Sequence, residues 1–294
     1  MLAFRATFVG AVAALGTRHG KEQVIGPTLE AELGIRVEVV KDLDTDRFGT
    51  FTREVPRVGT ALETARSKAR AALEAHGSAR FGLSSEGSFG PHPAVAFVPG
   101  GAELVLFVDR ETGLELTGLD VTMETNFAST CVTTVDQAHA FANQVSFPSH
   151  GLIVIAAPRE KPEPALGMTK GIVEPARFGQ AVEESLRLHR RAWLETDMRA
   201  HLNPTRMRSI ERAVQALARA AQSLCPACGR PGYVLVERVG GLRCADCGEP
   251  RGRRARKSLL VPAAADVRSD RSRARRARRP SIVRFATHDL EGPR

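Results

Sequence analysis

The chain has 294 residues, 43% apolar and 26% charged, a composition that suits one large globular domain with a small appendage. Its formal charge of +9 is confined to one end: residues 251–294 carry 14 Lys/Arg against 4 Asp/Glu, whereas the first 250 carry 28 against 29, so the main domain has no basic excess for nucleic acid. No run approaches the ~20 apolar residues of a membrane span, and the short apolar start lacks a signal-type cleavage context, which predicts a cytoplasmic protein with no membrane partner.

In chain order, the apolar run Thr7 to Ala14 predicts a strand buried on both faces, followed by a loop over Thr17 to Lys21. A helix is expected from about Glu22 to Leu33, stopped by Gly34, with a strand from Ile35 to Val40. Asp42 to Glu54 is polar and reads as a long loop. Gly59 to Ala75 carries Leu62, Ala65, Ala69, Ala72 and Leu73 at helical spacing. Arg80 to Ser85 predicts a strand that delivers a turn over Glu86 to Pro93, where two glycines and two prolines cluster. Antiparallel strands are expected at Glu103 to Asp109 and Leu114 to Val121, a helix near Val135 to Val145, and a strand from Leu152 to Ala156. Helices follow at about Phe178 to Leu194 and Met207 to Leu224. The expected fold is α/β, a mixed sheet with flanking helices. It divides into an α/β domain over 1–160, a helical segment over 165–223, a zinc ribbon over 224–250 and a basic, disordered tail over 251–294.

Three polar clusters fall at predicted strand ends: Thr17 to Lys21, Asp44 to Thr52, and Ser84 to Ser88. Loops at strand ends of an open α/β sheet share one crevice, where ligands bind. Thr17, His19 and Lys21 before a helix suit a phosphate, although a solvated turn accounts for them equally. Glu63 in a first helical turn and Glu86 after the next strand are candidate Mg²⁺ ligands, with Asp44 and Asp46 as further ones, because Mg²⁺ takes oxygen donors shared with substrate phosphates. The competing explanations are a helix-dipole carboxylate for Glu63 and a capping pair for Asp44 and Asp46. His92, between prolines, is either a contact to a base or phosphate or an idle surface group.

Cys225-x2-Cys228 and Cys244-x2-Cys247, separated by 15 residues, have the spacing of two knuckles on one tetrahedral Zn²⁺, with Tyr233 to Arg238 and the turn at Gly240-Gly241 supplying a hairpin between them. Four protein ligands make such a metal structural. Redox use of the pairs is the rival, and the ribbon either staples the C-terminal region or grips nucleic acid or a partner. Cys131 stands alone and predicts a packed or free thiol.

The strings at 17–22 (ThrArgHisGlyLysGlu), 44–52 (AspThrAspArgPheGlyThrPheThr), 85–93 (SerGluGlySerPheGlyProHisPro) and 124–127 (GluThrAsnPhe) resemble an uncharacterised bacterial family, a domain of unknown function of the DUF6671 type, over residues 4 to about 250. More remotely, Thr17 with Lys21, the helix Glu63-Thr64-Ala65-x-x-Lys68-Ala69 and the strand ending in Glu86-Gly87 resemble the inosine/xanthosine triphosphate pyrophosphatases. That resemblance implies phosphate contacts from Lys21 and Lys68, and a metal-holding or water-activating role for Glu63 and Glu86. Histidine at 19 and threonine at 64 stand where that family has asparagine, and its acidic pair is reduced to Glu86. The expected function is a Mg²⁺-dependent hydrolase of a nucleotide or other phosphorylated substrate. The alternative is a non-catalytic ligand-binding protein, or one that binds nucleic acid or a partner through the ribbon and tail. The tail lacks the further cysteines expected of the family, and reads as an out-of-frame ending or an electrostatic arm.

Overall fold

The computed structural model describes residues 8–41, 43–45, 48, 59–92, 95–239 and 255–260. The first sheet has five strands: β1 (Val12–Leu15), β2 (Arg36–Val39), β3 (Phe81–His92), β4 (Val95–Asp109) and β5 (Glu115–Thr122), in the order β2-β1-β3-β4-β5. β1 runs parallel to both β2 and β3, while β3, β4 and β5 form an antiparallel meander, so the sheet is mixed as expected.

Helix α1 (Glu22–Leu33) connects β1 to β2 and buries Ile25, Leu29 and Leu33 on one face of the sheet. Helix α2 (Ala61–His76) precedes β3 and buries Ala65, Ala69, Ala72 and Leu73 on the other face, against Ala14, Leu106 and Val108. A capping box starts α2: the Thr60 hydroxyl accepts from the Glu63 N–H, and the Glu63 carboxylate accepts from the Thr60 N–H at 2.8 Å.

A second, antiparallel sheet follows, built from β6 (Ser129–Val132), β7 (Leu152–Ala156), β8 (Met168–Ile172) and β9 (Ala192–Thr196) in the order β6-β9-β7-β8. Helices α3 (Val135–Gln144) and α4 (Pro175–His189) pack on it through Ala138, Phe141, Phe178 and Val182. The chain then returns to the first sheet, where α5 (Pro204–Gln222) lays Ile210, Ala213, Val214 and Leu217 beside α1. Contact between α5 and β5 is intimate enough that a Cβ on Gly118 would lie 1.9 Å from the Ala213 carbonyl oxygen.

Three expectations change. The turn expected over Glu86 to Pro93 is strand through His92, because β4 supplies a partner whose Gly100 and Pro99 face Gly90 and Pro91 across the ladder. The segment expected to be helical over 165–223 contributes β8 and β9, and β7 pairs with both, so residue 160 is no boundary. Finally, β10 (Tyr233–Val239) pairs antiparallel with β11 (Ala255–Leu260), a strand inside the stretch expected to be disordered and beyond Cys247, so the described partner of β10 is not the return strand of a hairpin turning at Gly240-Gly241. The remainder of that tail, 251–254 and 261–294, lies outside the described residues. Among the described residues no helix is long and apolar enough to cross a membrane.

Candidate functional site at the β1/β3 switch point

From β1 the chain passes through α1 to β2 on one side, then through α2 to β3 on the other, with the two helices on opposite faces. The strand order therefore reverses between β1 and β3, and the carboxyl ends of those strands bound a crevice of the kind open α/β sheets use for ligands. β1 ends at Leu15, where it pairs with Leu83. β3 continues without it, so Ser84 to Gly87 face the loop from Gly16 to Lys21.

Lys21 fills that gap. Its ammonium donates to the Ser85 carbonyl at 3.0 Å and approaches the Ser85 hydroxyl at 3.4 Å, and only 8% of the residue is exposed. Among the described residues no carboxylate pairs with it. Burial, reinforced by the nearby Arg206 guanidinium, lowers its pKa to about 8, and attraction to Glu103 and Glu86 only partly offsets this. Lys21 also occupies the N-cap of α1, which no side chain caps.

On the same face of β3, two residues further along, Glu103 of β4 and Arg206 of α5 form a fully buried pair, Nε to Oε1 2.6 Å. The pair lies flat over Gly87, whose Cβ would fall 2.6 Å from the Glu103 carboxylate and 2.8 Å from the Arg206 guanidinium. Only glycine fits there, which explains Gly87 by close approach and not by a turn. Arg206 also donates to the Met198 carbonyl and sits 5.2 Å from the centre of the Phe89 ring, which stacks on Phe127. Glu103 Oε2 is buried with no hydrogen-bond partner.

His19 and His201 stack at 5.4 Å, which brings the loop between β9 and α5 against the loop after β1. Burial, with Lys21, His201, Arg206 and Arg199 adding to it, drives His19 down to about 3. At neutral pH the imidazole is therefore uncharged. Arg199 is held by Asp197, itself fully buried, at 2.6 Å.

The expected site residues thus divide. Lys21, Lys68 and Glu86 converge on the switch point, with Lys68 bound to Glu86 at 2.5 Å, and His19 stands beside them. Thr17 is in the same loop, its hydroxyl 3.5 Å from the His19 N–H. Glu63 is exposed and committed to the capping box, and Asp44 pairs with Arg18 at 2.9 Å on the surface. Asp46 lies outside the described residues, and His92 ends β3 at the tip of its hairpin. Among the described residues no group of three or more His, Cys, Asp or Glu is placed to hold a metal ion. Of the acids expected to hold Mg²⁺, the described ones are engaged separately: Glu63 with Thr60, Glu86 with Lys68 and Asp44 with Arg18.

Cys225 and Cys228 form a tight turn in which the Gly229 N–H donates to the Cys225 carbonyl. Backbone N–H groups of Cys228 and Ala227, then the Cys228 thiol, hold the Cys225 thiol below its usual pKa. Cys244 and Cys247 lie outside the described residues. Cys131 is unbridged and half-buried in β6, and burial pushes its thiol up.

A family model, Domain of unknown function (DUF6671), matches residues 68–264, about two thirds of the chain. The chain belongs to this DUF6671 family. Its matched stretch holds Lys68, Glu86, Glu103, Arg206 and the four cysteines, whereas the strings at 17–22 and 44–52 precede it. No curated protein matches the chain. Sequence reading missed Glu103, Arg199, His201 and Arg206. The available signals were a lone acid in an otherwise apolar strand, 102–108, and an arginine in the first turn after Asn203-Pro204.

Proposed function

We propose that this DUF6671 protein binds a phosphorylated small molecule at the β1/β3 switch point, with Lys21 as the principal phosphate contact and His19, Arg199 and Arg206 around it. Lys21 is the observation that carries this reading: an ammonium more than nine-tenths buried with no carboxylate partner among the described residues. Burying an uncompensated ammonium costs several kcal/mol, and a bound anion removes that cost. The N-terminus of α1 adds a favourable dipole at the same place.

Mg²⁺-dependent hydrolysis of a nucleotide or related phosphorylated substrate is the activity that the remote likeness to inosine/xanthosine triphosphate pyrophosphatases would put here, on a fold of that type. Lys21, Lys68 and Glu86 support it. The described acids do not fit a Mg²⁺ cage, and no chemical step is assigned to that ion. Engagement of Glu63 in a helix cap and Asp44 with Arg18 favours the second reading, ligand binding without turnover. Release of phosphate or pyrophosphate from a panel of nucleotides, with and without Mg²⁺, separates the two. Turnover that falls about a hundredfold or more in Glu86→Gln supports the hydrolase. Binding without turnover supports the ligand-binding protein, and no binding of any phosphorylated compound overturns both.

We also propose that Cys225, Cys228, Cys244 and Cys247 hold one structural Zn²⁺. The lowered Cys225 thiol and the N–H groups directed at its sulfur support this, because a metal-bound thiolate needs both. One equivalent of zinc in the purified chain, lost in Cys225→Ser, is the expected result; a zinc-free folded chain contradicts it.

A further inference from the structure

Resting on the phosphate-binding reading, we infer that the crevice is built for a single phosphate group, that of a phosphate monoester, and discriminates against a di- or triphosphate chain. The balance of fixed charge is the basis. Among the described residues four cations come to the switch point, and three of them already have carboxylates: Lys68 has Glu86, Arg206 has Glu103 and Arg199 has Asp197. His19 contributes hydrogen bonding without charge. Lys21 alone, among these described residues, remains uncompensated.

Its donor count agrees. An ammonium has three N–H bonds, and two of them are directed at the Ser85 carbonyl and hydroxyl, which leaves one for a ligand. At the N-terminus of α1 the Gln23 and Val24 N–H groups already donate to the Gly20 and Lys21 carbonyls, so that terminus adds its dipole and few donors. This set serves one tetrahedral anion. A second or third phosphoryl group would find no cation without a carboxylate partner among the described residues, and would meet the Glu103 carboxylate on the Lys21 face of the sheet, while Glu86 acts on Lys21 electrostatically from the α2 face. Glu103 Oε2, buried and without a hydrogen-bond partner, adds an acceptor that suits a ligand hydroxyl and repels an anionic oxygen. Triphosphate sites, in contrast, spread several unpaired cations or a metal along the chain.

Equilibrium binding to the full chain, in buffer containing a chelator, tests this with inorganic phosphate, a nucleoside monophosphate, and the matching di- and triphosphates. Wild type is expected to bind the monophosphate at least tenfold more tightly than the triphosphate. Lys21→Met should lose binding of every member of the series. Because Glu86→Gln releases Lys68 from its carboxylate, it should shift the triphosphate-to-monophosphate ratio several-fold towards the triphosphate. A wild-type preference for the triphosphate, or no shift in Glu86→Gln, overturns the inference and leaves the phosphate-binding reading standing. Absence of binding across the whole series overturns both.

Discussion

Lys21 and its neighbours show how much of the site a single side chain carries. Its position before a predicted helix, in a loop after a predicted strand, was legible in the sequence, because strand-end loops and helix N-termini are recognisable locally. That it lies without a paired carboxylate among the described residues was not, since this depends on which carboxylates Lys68, Arg199 and Arg206 take. Glu103 and Arg206 are more than a hundred residues apart, and no local pattern pairs them. Glu63 illustrates the opposite error. Its place in the first turn of α2 suits a metal ligand, and the structure commits its carboxylate to Thr60. Titration of Lys21 should be visible in stability. Its pKa is about 8 folded against 10.5 as the ordinary value, so folding expels a proton between those values and stability rises with pH across that window. Lys21→Met should abolish that rise in pH-dependent denaturant melts, and should stabilise the ligand-free protein at pH 7 by about 1–2 kcal/mol once the lost bonds to Ser85 are deducted. A variant that keeps the wild-type slope would mean that the ammonium is not buried without a counter-charge.

Among the elements, α1 and β7 follow directly from their patterns, one an apolar face closed by Gly34 and the other an unbroken apolar run. β3 does not. Its glycines and prolines carry the ordinary signature of a turn, and only the matching glycines of β4 make an extended ladder possible there, so the information lies in the partner strand. Residues 124–127 likewise serve the packing of elements: Asn126 accepts from Asn203, the residue that caps α5 and so presents Arg206, while Phe127 supports Phe89. Two glycine substitutions separate tight from open contacts in thermal or denaturant unfolding. Gly118→Ala would drive a Cβ into the α5 backbone and should cost about 3 kcal/mol or more. Gly179→Ala, in α4 with nothing within 4 Å, should add about 0.5–1 kcal/mol. Equal effects at the two sites would contradict the packing of α5 on β5.

For the whole molecule, the chain places its site where two sheets of different construction meet. His19 and Lys21 come from the mixed sheet, His201 and Arg199 from the segment that leaves the antiparallel sheet, and Arg206 from the helix that returns. A ligand held there would touch both parts of the chain. The sequence revealed the α/β class and the first helical crossover. It hid the second sheet, whose short strands are interleaved with helices, and whose order β6-β9-β7-β8 depends on contacts between segments some 60 residues apart. Calorimetric titration of a phosphate monoester at pH 8.5, repeated in buffers of different ionisation enthalpy, measures the central claim most directly. An anion that pairs with the Lys21 ammonium raises its pKa, so binding should take up a fraction of a proton from solution, and Lys21→Met should neither bind well nor take up protons. Binding of the monoester by wild type without proton uptake, or undiminished binding by Lys21→Met, would contradict the account.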